Sequence, residues 1–109
     1  MNEIKITSLE DAPKSASGLD AYKMYTSDNL EVMHLHLNPG QEISLHNNPT
    51  DVVFCVMEGT LVLKTTGNRH KLNKFDLAEV KGGTERGLKN SSDKDTRILV
   101  MKKLSALQA

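Results

Sequence analysis

The chain has 109 residues, 38% apolar and 26% charged, and its 14 basic and 14 acidic side chains cancel to a formal net charge of zero. That balance fits one globular domain and excludes two domains or a disordered chain, and the absence of any Lys/Arg-dense stretch speaks against nucleic acid as a partner. A single cysteine, Cys55, excludes an internal disulfide and a Cys-rich zinc framework, and 4% aromatic residues with no Trp leave few platforms for stacking on sugars or bases.

At the N-terminus Glu3 and Lys5 stand where a signal peptide would need an apolar run, and no segment approaches bilayer length. The expectation is a cytoplasmic protein with no membrane partner. Residues 9–18 collect Asp11, Pro13, Ser15, Ser17 and Gly18, turn formers that bar a long strand or helix and predict an arm or loop. From Leu30 the sequence alternates, with Val32, His34 and His36 on one face and Met33, Leu35 and Leu37 on the other, until Asn38-Pro39-Gly40 ends the strand.

Residues 52–57, Val-Val-Phe-Cys-Val-Met, form a continuous apolar run of strand length, which predicts a strand covered on both faces. Leu61-Val62-Leu63 and His70-Lys71-Leu72 flank Thr66-Gly67-Asn68, a hairpin with Gly67 and Asn68 suited to positive φ. Residues 76–80 and 96–101 supply further strands, separated by Lys81-Gly82-Gly83-Thr84 and Asn90-Ser91-Ser92-Asp93 turns. Strands recurring about every ten residues predict an all-β sandwich or barrel, and residues 102–109 are long enough for one frayed helical turn.

The stretch from Pro39-Gly40 through His46 to Glu58-Gly59 resembles the first cupin motif, in which Gly, five residues, His, one residue, His and then Glu lead to a closing Gly. The segment from Asp76 through Gly83 and Arg86 to Asn90 is similar to the second. The resemblance implies a single cupin-type barrel (jelly roll, or double-stranded β-helix): an arm with the first strands over residues 1–28, a barrel core over 29–101 and a C-terminal tail over 102–109. It also implies a homodimer, packed through a sheet face that carries Cys55 and Met57, unless the N-terminal arm covers that face.

The metal ligands of the family fall on His46, Asn48, Val52 and Arg86, and only the first is a usual ligand. Strand parity puts His46, Asn48, Val52, Phe54 and Val56 on the interior face and Asp51 on the other, so Asp51 would reach a metal only through a bulge. A guanidinium has five donors and no lone pair, so Arg86 opposes a cation. Two placements of Arg86 stay open. Facing inward with His46, Asn48 and Phe54, it binds a small carboxylate or similar anion where relatives hold a metal. Reaching the barrel mouth, it pairs with Glu85 or Glu79, and the cost of burying an unpaired charge tips the expectation slightly toward this second placement.

His34 and His36, at i and i+2, form a second candidate pair for zinc, nickel or copper. In the frame implied by the resemblance both face outward, and only a reversed register would bring them to His46. Cys55 has no cationic neighbour in sequence to make it a reactive thiol and is expected in the core. Nucleophile-elbow, phosphate-loop, dinucleotide and HExxH patterns are absent. The sequence therefore supports a small-molecule-binding barrel with no obligatory cofactor, against two alternatives: an oxygenase or isomerase dependent on a divalent metal, in which His46 is joined by Asn48, His34, His36 or Asp51, and a non-catalytic assembly module.

Overall fold

A computed structural model describes residues 3–104. Among them lie nine strands, β1 (Ala21–Thr26), β2 (Leu30–Leu37), β3 (Glu42–His46), β4 (Val52–Glu58), β5 (Leu61–Thr65), β6 (Asn68–Leu72), β7 (Leu77–Val80), β8 (Arg86–Lys89) and β9 (Thr96–Lys103). They form an antiparallel five-stranded sheet of order β1-β2-β9-β4-β7 facing a four-stranded sheet of order β3-β8-β5-β6. The all-β barrel expected from strand spacing is the fold observed. Among the described residues no helix is long and apolar enough to cross a membrane.

Period-two patterning decides which side chains enter the barrel. Met33, Leu35 and Leu37 of β2, Val52, Phe54 and Val56 of β4, and Ile98 and Val100 of β9 are buried from one sheet, while Leu61, Leu63 and Leu88 meet them from the other. Each such apolar side chain contributes about 1.5–3 kcal/mol by leaving water. The last strand β9 lies between β2 and β4, so the sheet closes only when the C-terminal segment docks.

The two ends of the barrel differ. At one end Leu37, Val56, Leu61 and Ile98 are at most 1% exposed and fill the interior. Asn90, fully buried, locks that end by donating to the carbonyls of Leu37 (3.1 Å) and Lys94 (2.7 Å) and accepting from the backbone N–H and hydroxyl of Ser92. Thr96 adds a hydroxyl bond to the carbonyl of Thr60 at 2.6 Å. At the other end the interior is not filled.

Three local expectations change. Residues 102 and 103 extend β9 instead of opening a helical turn, and residues 105–109 lie outside the described part of the chain. The β5–β6 turn is the two-residue pair Thr66-Gly67, with Gly67 at φ 79°, and Asn68 already pairs with Thr65. Strand parity does not run from His46 to Val52, because residues 47–51 form a loop that carries the chain from one sheet to the other.

Candidate functional site

The unfilled half of the barrel is a cavity of about 170 Å³ whose lining follows from register. Along β9 the inward residues run Lys102, Val100, Ile98; along β4 they run Val52, Phe54, Val56; along β8 they run Arg86, Leu88, Asn90. The first two of each set line the cavity and the third belongs to the packed end. Ile43 and His46 of β3, Asn48 of the following loop, and Met33 and Leu35 of β2 complete the walls. Ser15, Ser17 and Leu19 reach it from the N-terminal segment, which is tied to β1 by the Lys14–Tyr22 bridge.

Arg86 is the residue on which this site turns. Its side chain is 1% exposed, so the expected pairing with Glu85 or Glu79 at the surface does not occur. Burial of β8 against β3 and β5 holds the chain there. Gly87 makes that packing possible, because a Cβ at this position would lie 2.7 Å from the carbonyl oxygen of Ile43. The guanidinium donates from Nε to the carbonyl of Thr84 (2.9 Å) and from Nη2 to the carbonyl of Thr50 (3.4 Å). Both acceptors lie on loops that brace one another: the Gly83 N–H meets the Asn48 carbonyl at 2.9 Å and the Gly82 N–H meets Asp51 Oδ1 at 2.8 Å. Among the described residues no carboxylate forms an ion pair with Arg86. Desolvation lowers its pKa, opposed by the nearby charge of Asp51, yet a guanidinium stays protonated in such a site.

The other sequence candidates fall in different places. Phe54 is buried and packs on the cavity wall. His46 pairs in register with Arg86 but is largely exposed, at the cavity rim, with Nδ1 3.1 Å from the carbonyl oxygen of Ser44. Asn48 spends its Oδ1 on the N–H and hydroxyl of Thr50, at 3.0 and 2.7 Å. Asp51 points away from the cavity, bonded to Gly82 and paired with Lys81 and Lys103, and these contacts, Gly82 first, lower its pKa.

His34 and His36 lie on the opposite face of the five-stranded sheet from the cavity, so a three-His site with His46 does not form. His36 Nδ1 meets Asp20 at 2.7 Å and its Nε2 lies 3.4 Å from Asp95. His34 is half-buried with Nδ1 unpartnered, and its pKa is lowered by desolvation and by the charge of Arg97. Cys55 shares that outer face, half-buried, with Sγ 3.8 Å from Met57 Sδ, and not the core expected for it. The N-terminal segment turns to the cavity and to β1 and leaves Cys55 and Met57 uncovered.

The donor chemistry of the cavity does not fit a metal ion. At the four positions where the family motif supplies ligands, Val52 has no donor atom, Arg86 is a cation, and Asn48 is engaged with Thr50. Among the described residues no cluster of three or more His, Cys, Asp or Glu side chains is placed to hold a cation. Lys102 is a cavity residue that a reading of residues 102–109 as a tail overlooks. The signal for it was present in the unbroken alternation Ile98, Val100, Lys102.

The family model of the cupin domain matches residues 33–102. A double-stranded β-helix protein from Klebsiella pneumoniae superposes with TM-score 0.79 at 22% identity, over 95% of this chain and 93% of that one. An RmlC-like cupin from Shewanella frigidimarina gives TM-score 0.81 at 15% identity, with 96% and 95% of the two chains covered. The polyketide cyclase RemF from Streptomyces resistomycificus gives 0.81 at 15% identity, over 94% of this chain and 81% of its own. At such identities the likeness concerns the fold alone. No curated protein matches the chain.

Proposed function

The chain belongs to the cupin family, and we propose that its barrel binds a small organic anion, with no obligatory metal, through Arg86. One observation carries this: a guanidinium 1% exposed lines an apolar cavity with two backbone carbonyls as its only protein acceptors among the described residues. An unpaired charge removed from water destabilises a fold by several kcal/mol unless something compensates it. A carboxylate offers two acceptors in the geometry of the guanidinium fork. His46 and Asn48 at the rim supply further polar contacts, and Phe54 supplies an apolar wall.

The test is thermal unfolding against a panel of small carboxylates. A ligand at 100 times its dissociation constant adds about 2.7 kcal/mol to stability, and Arg86→Met should remove that gain. Ligand-induced stabilisation that survives Arg86→Met would overturn the role given to Arg86.

A second reading concerns the outer face of the five-stranded sheet, which we propose is covered by a second copy of the chain. Register aligns His34, Leu99, Cys55 and Leu77 in one row and Val32, Met101 and Val53 in the next. Met57 and Leu77 are 39% and 61% exposed beside half-buried Cys55 and Leu99. Glu79 continues the second row in β7, and the apolar stretch that remains across β2, β9 and β4 supports protein contact. The lone free thiol at its centre supports a reducing compartment such as the cytoplasm.

A further inference from the structure

Lys102 changes what the cavity can hold. It lines the cavity from β9 while Arg86 lines it from β8, so two basic side chains border one space from facing sheets. Each sits one inward step outside an apolar residue, Val100 behind Lys102 and Leu88 behind Arg86. Two residues of strand span about 6.7 Å, roughly the length of an aromatic ring. Glu31 stands opposite Lys102 in register, yet among the described residues no carboxylate is within ion-pair distance of Lys102. None of the cavity-lining residues is acidic.

The inner half of the cavity is of the opposite character. Met33, Leu35, Phe54, Leu88 and Val100 form it, and apart from the weakly accepting thioether of Met33 none offers a side-chain hydrogen-bond donor or acceptor to a hydroxyl-rich ligand such as a sugar. An apolar protein cavity of about 150 Å³ accommodates benzene, so 170 Å³ admits on the order of six to ten non-hydrogen atoms. A bare inorganic anion would leave this half empty, and a dianion would drive a second charge into it.

We infer that the ligand is an amphipathic monocarboxylate, an aryl or short-chain acyl acid, whose carboxylate lies between Arg86 and Lys102 and whose hydrocarbon end fills the space against Leu35, Phe54 and Val100. This rests on the anion-binding role of Arg86 and adds the class of molecule and the second cation. Burial of the hydrocarbon end gives binding a negative heat-capacity change. The charge-assisted contact from Lys102 is worth about a tenfold change in affinity.

The experiment is calorimetric titration of the full chain with benzoate, hexanoate, acetate, succinate, phosphate and neutral benzamide, repeated on Lys102→Met and on the milder Lys102→Gln. Benzoate and hexanoate should bind at least about tenfold more tightly than acetate, succinate or phosphate, and both Lys102 variants should weaken benzoate about tenfold. The selectivity order is read on the unaltered chain and so does not depend on either variant folding. If succinate or phosphate binds as tightly as benzoate, the amphipathic class is wrong while anion binding stands. If benzamide matches benzoate, the anion reading itself falls. Unchanged affinity in the Lys102 variants removes Lys102 from the site, and no binding by any of these probes overturns the inference.

Discussion

Replacing Arg86 with methionine should stabilise the ligand-free protein. The wild-type side chain is 1% exposed and makes two hydrogen bonds, to the carbonyls of Thr84 and Thr50. The bond at 3.4 Å is long, and together the two contribute about 2–4 kcal/mol as charged-donor bonds. Against them stands the desolvation of an unpaired guanidinium, several kcal/mol. Methionine restores most of the aliphatic stem, is unbranched, and adapts to the cavity wall without a charge. The two freed carbonyls border loops and can take water. The expected net gain is about 1–3 kcal/mol, within the range seen when buried ions give way to apolar residues. For a domain near 100 residues this raises Tm by about 4 °C per kcal/mol. The assay is scanning calorimetry in a buffer free of carboxylates and phosphate. A Tm that falls by several degrees would show that Arg86 is a satisfied structural residue, and anion binding would lose the observation that carries it.

Further tests reach other parts of the molecule. Plasma mass spectrometry of tag-free protein expressed with divalent metals available should find well under one metal per chain, unchanged by His46→Ala; stoichiometric metal lost on that substitution would restore the metal-dependent enzyme. Leu99→Glu, placed in the centre of the outer face, should convert a dimer into a monomer by light scattering, whereas a wild-type protein that is already monomeric refutes the second-copy reading. His34 titrates below its ordinary range when folded, because desolvation and Arg97 disfavour its charged form while Asp20 opposes and His36 adds to the shift. The unfolded chain then binds the proton first, so stability is full above about pH 6.5 and declines as pH falls through the folded value. His34→Phe should flatten that decline in melts taken between pH 7 and pH 5, as conditions of measurement; an unchanged slope would place the sensitivity elsewhere. Gly87→Ala should destabilise by about 1–3 kcal/mol through overpacking, since its Cβ would meet the Ile43 carbonyl at 2.7 Å, and a neutral result would show that β3 yields freely.

The barrel was legible because its strands alternate cleanly. Met33, Leu35 and Leu37 inward and Val32, His34 and His36 outward follow from period two alone, and the register confirms the assignment. The turn residues of the motif, such as Gly59 and Asn90, carry the fold through backbone geometry and hydrogen bonds. No single strand connects His46 to Val52, because they belong to different sheets, yet the intervening loop still brings His46, Asn48 and Val52 to the cavity and leaves Asp51 outside, as parity expected. The burial of Arg86, by contrast, was hidden. Its cost could be judged from the sequence, but its acceptors, the carbonyls of Thr50 and Thr84, are backbone atoms that only the packed loops bring together. Lys102 was concealed by treating residues beyond 101 as a tail, although the alternation that buries Ile98 and Val100 continues through it.

The substitutions at the family's ligand positions form a consistent set when taken together with Lys102. A metal centre concentrates positive charge in the ion and surrounds it with neutral or anionic donors. Here the positive charge belongs to the protein, on Arg86 and Lys102, and the anionic group that could have served as a ligand, Asp51, is held outside by Gly82 and its two lysines. A cation entering this cavity would meet repulsion from both sheets, and an anion would meet attraction from both. On the proposed reading the cavity's preference for an anion follows from that sign of charge, and its size limit follows from the packed end that Leu37, Val56 and Ile98 close.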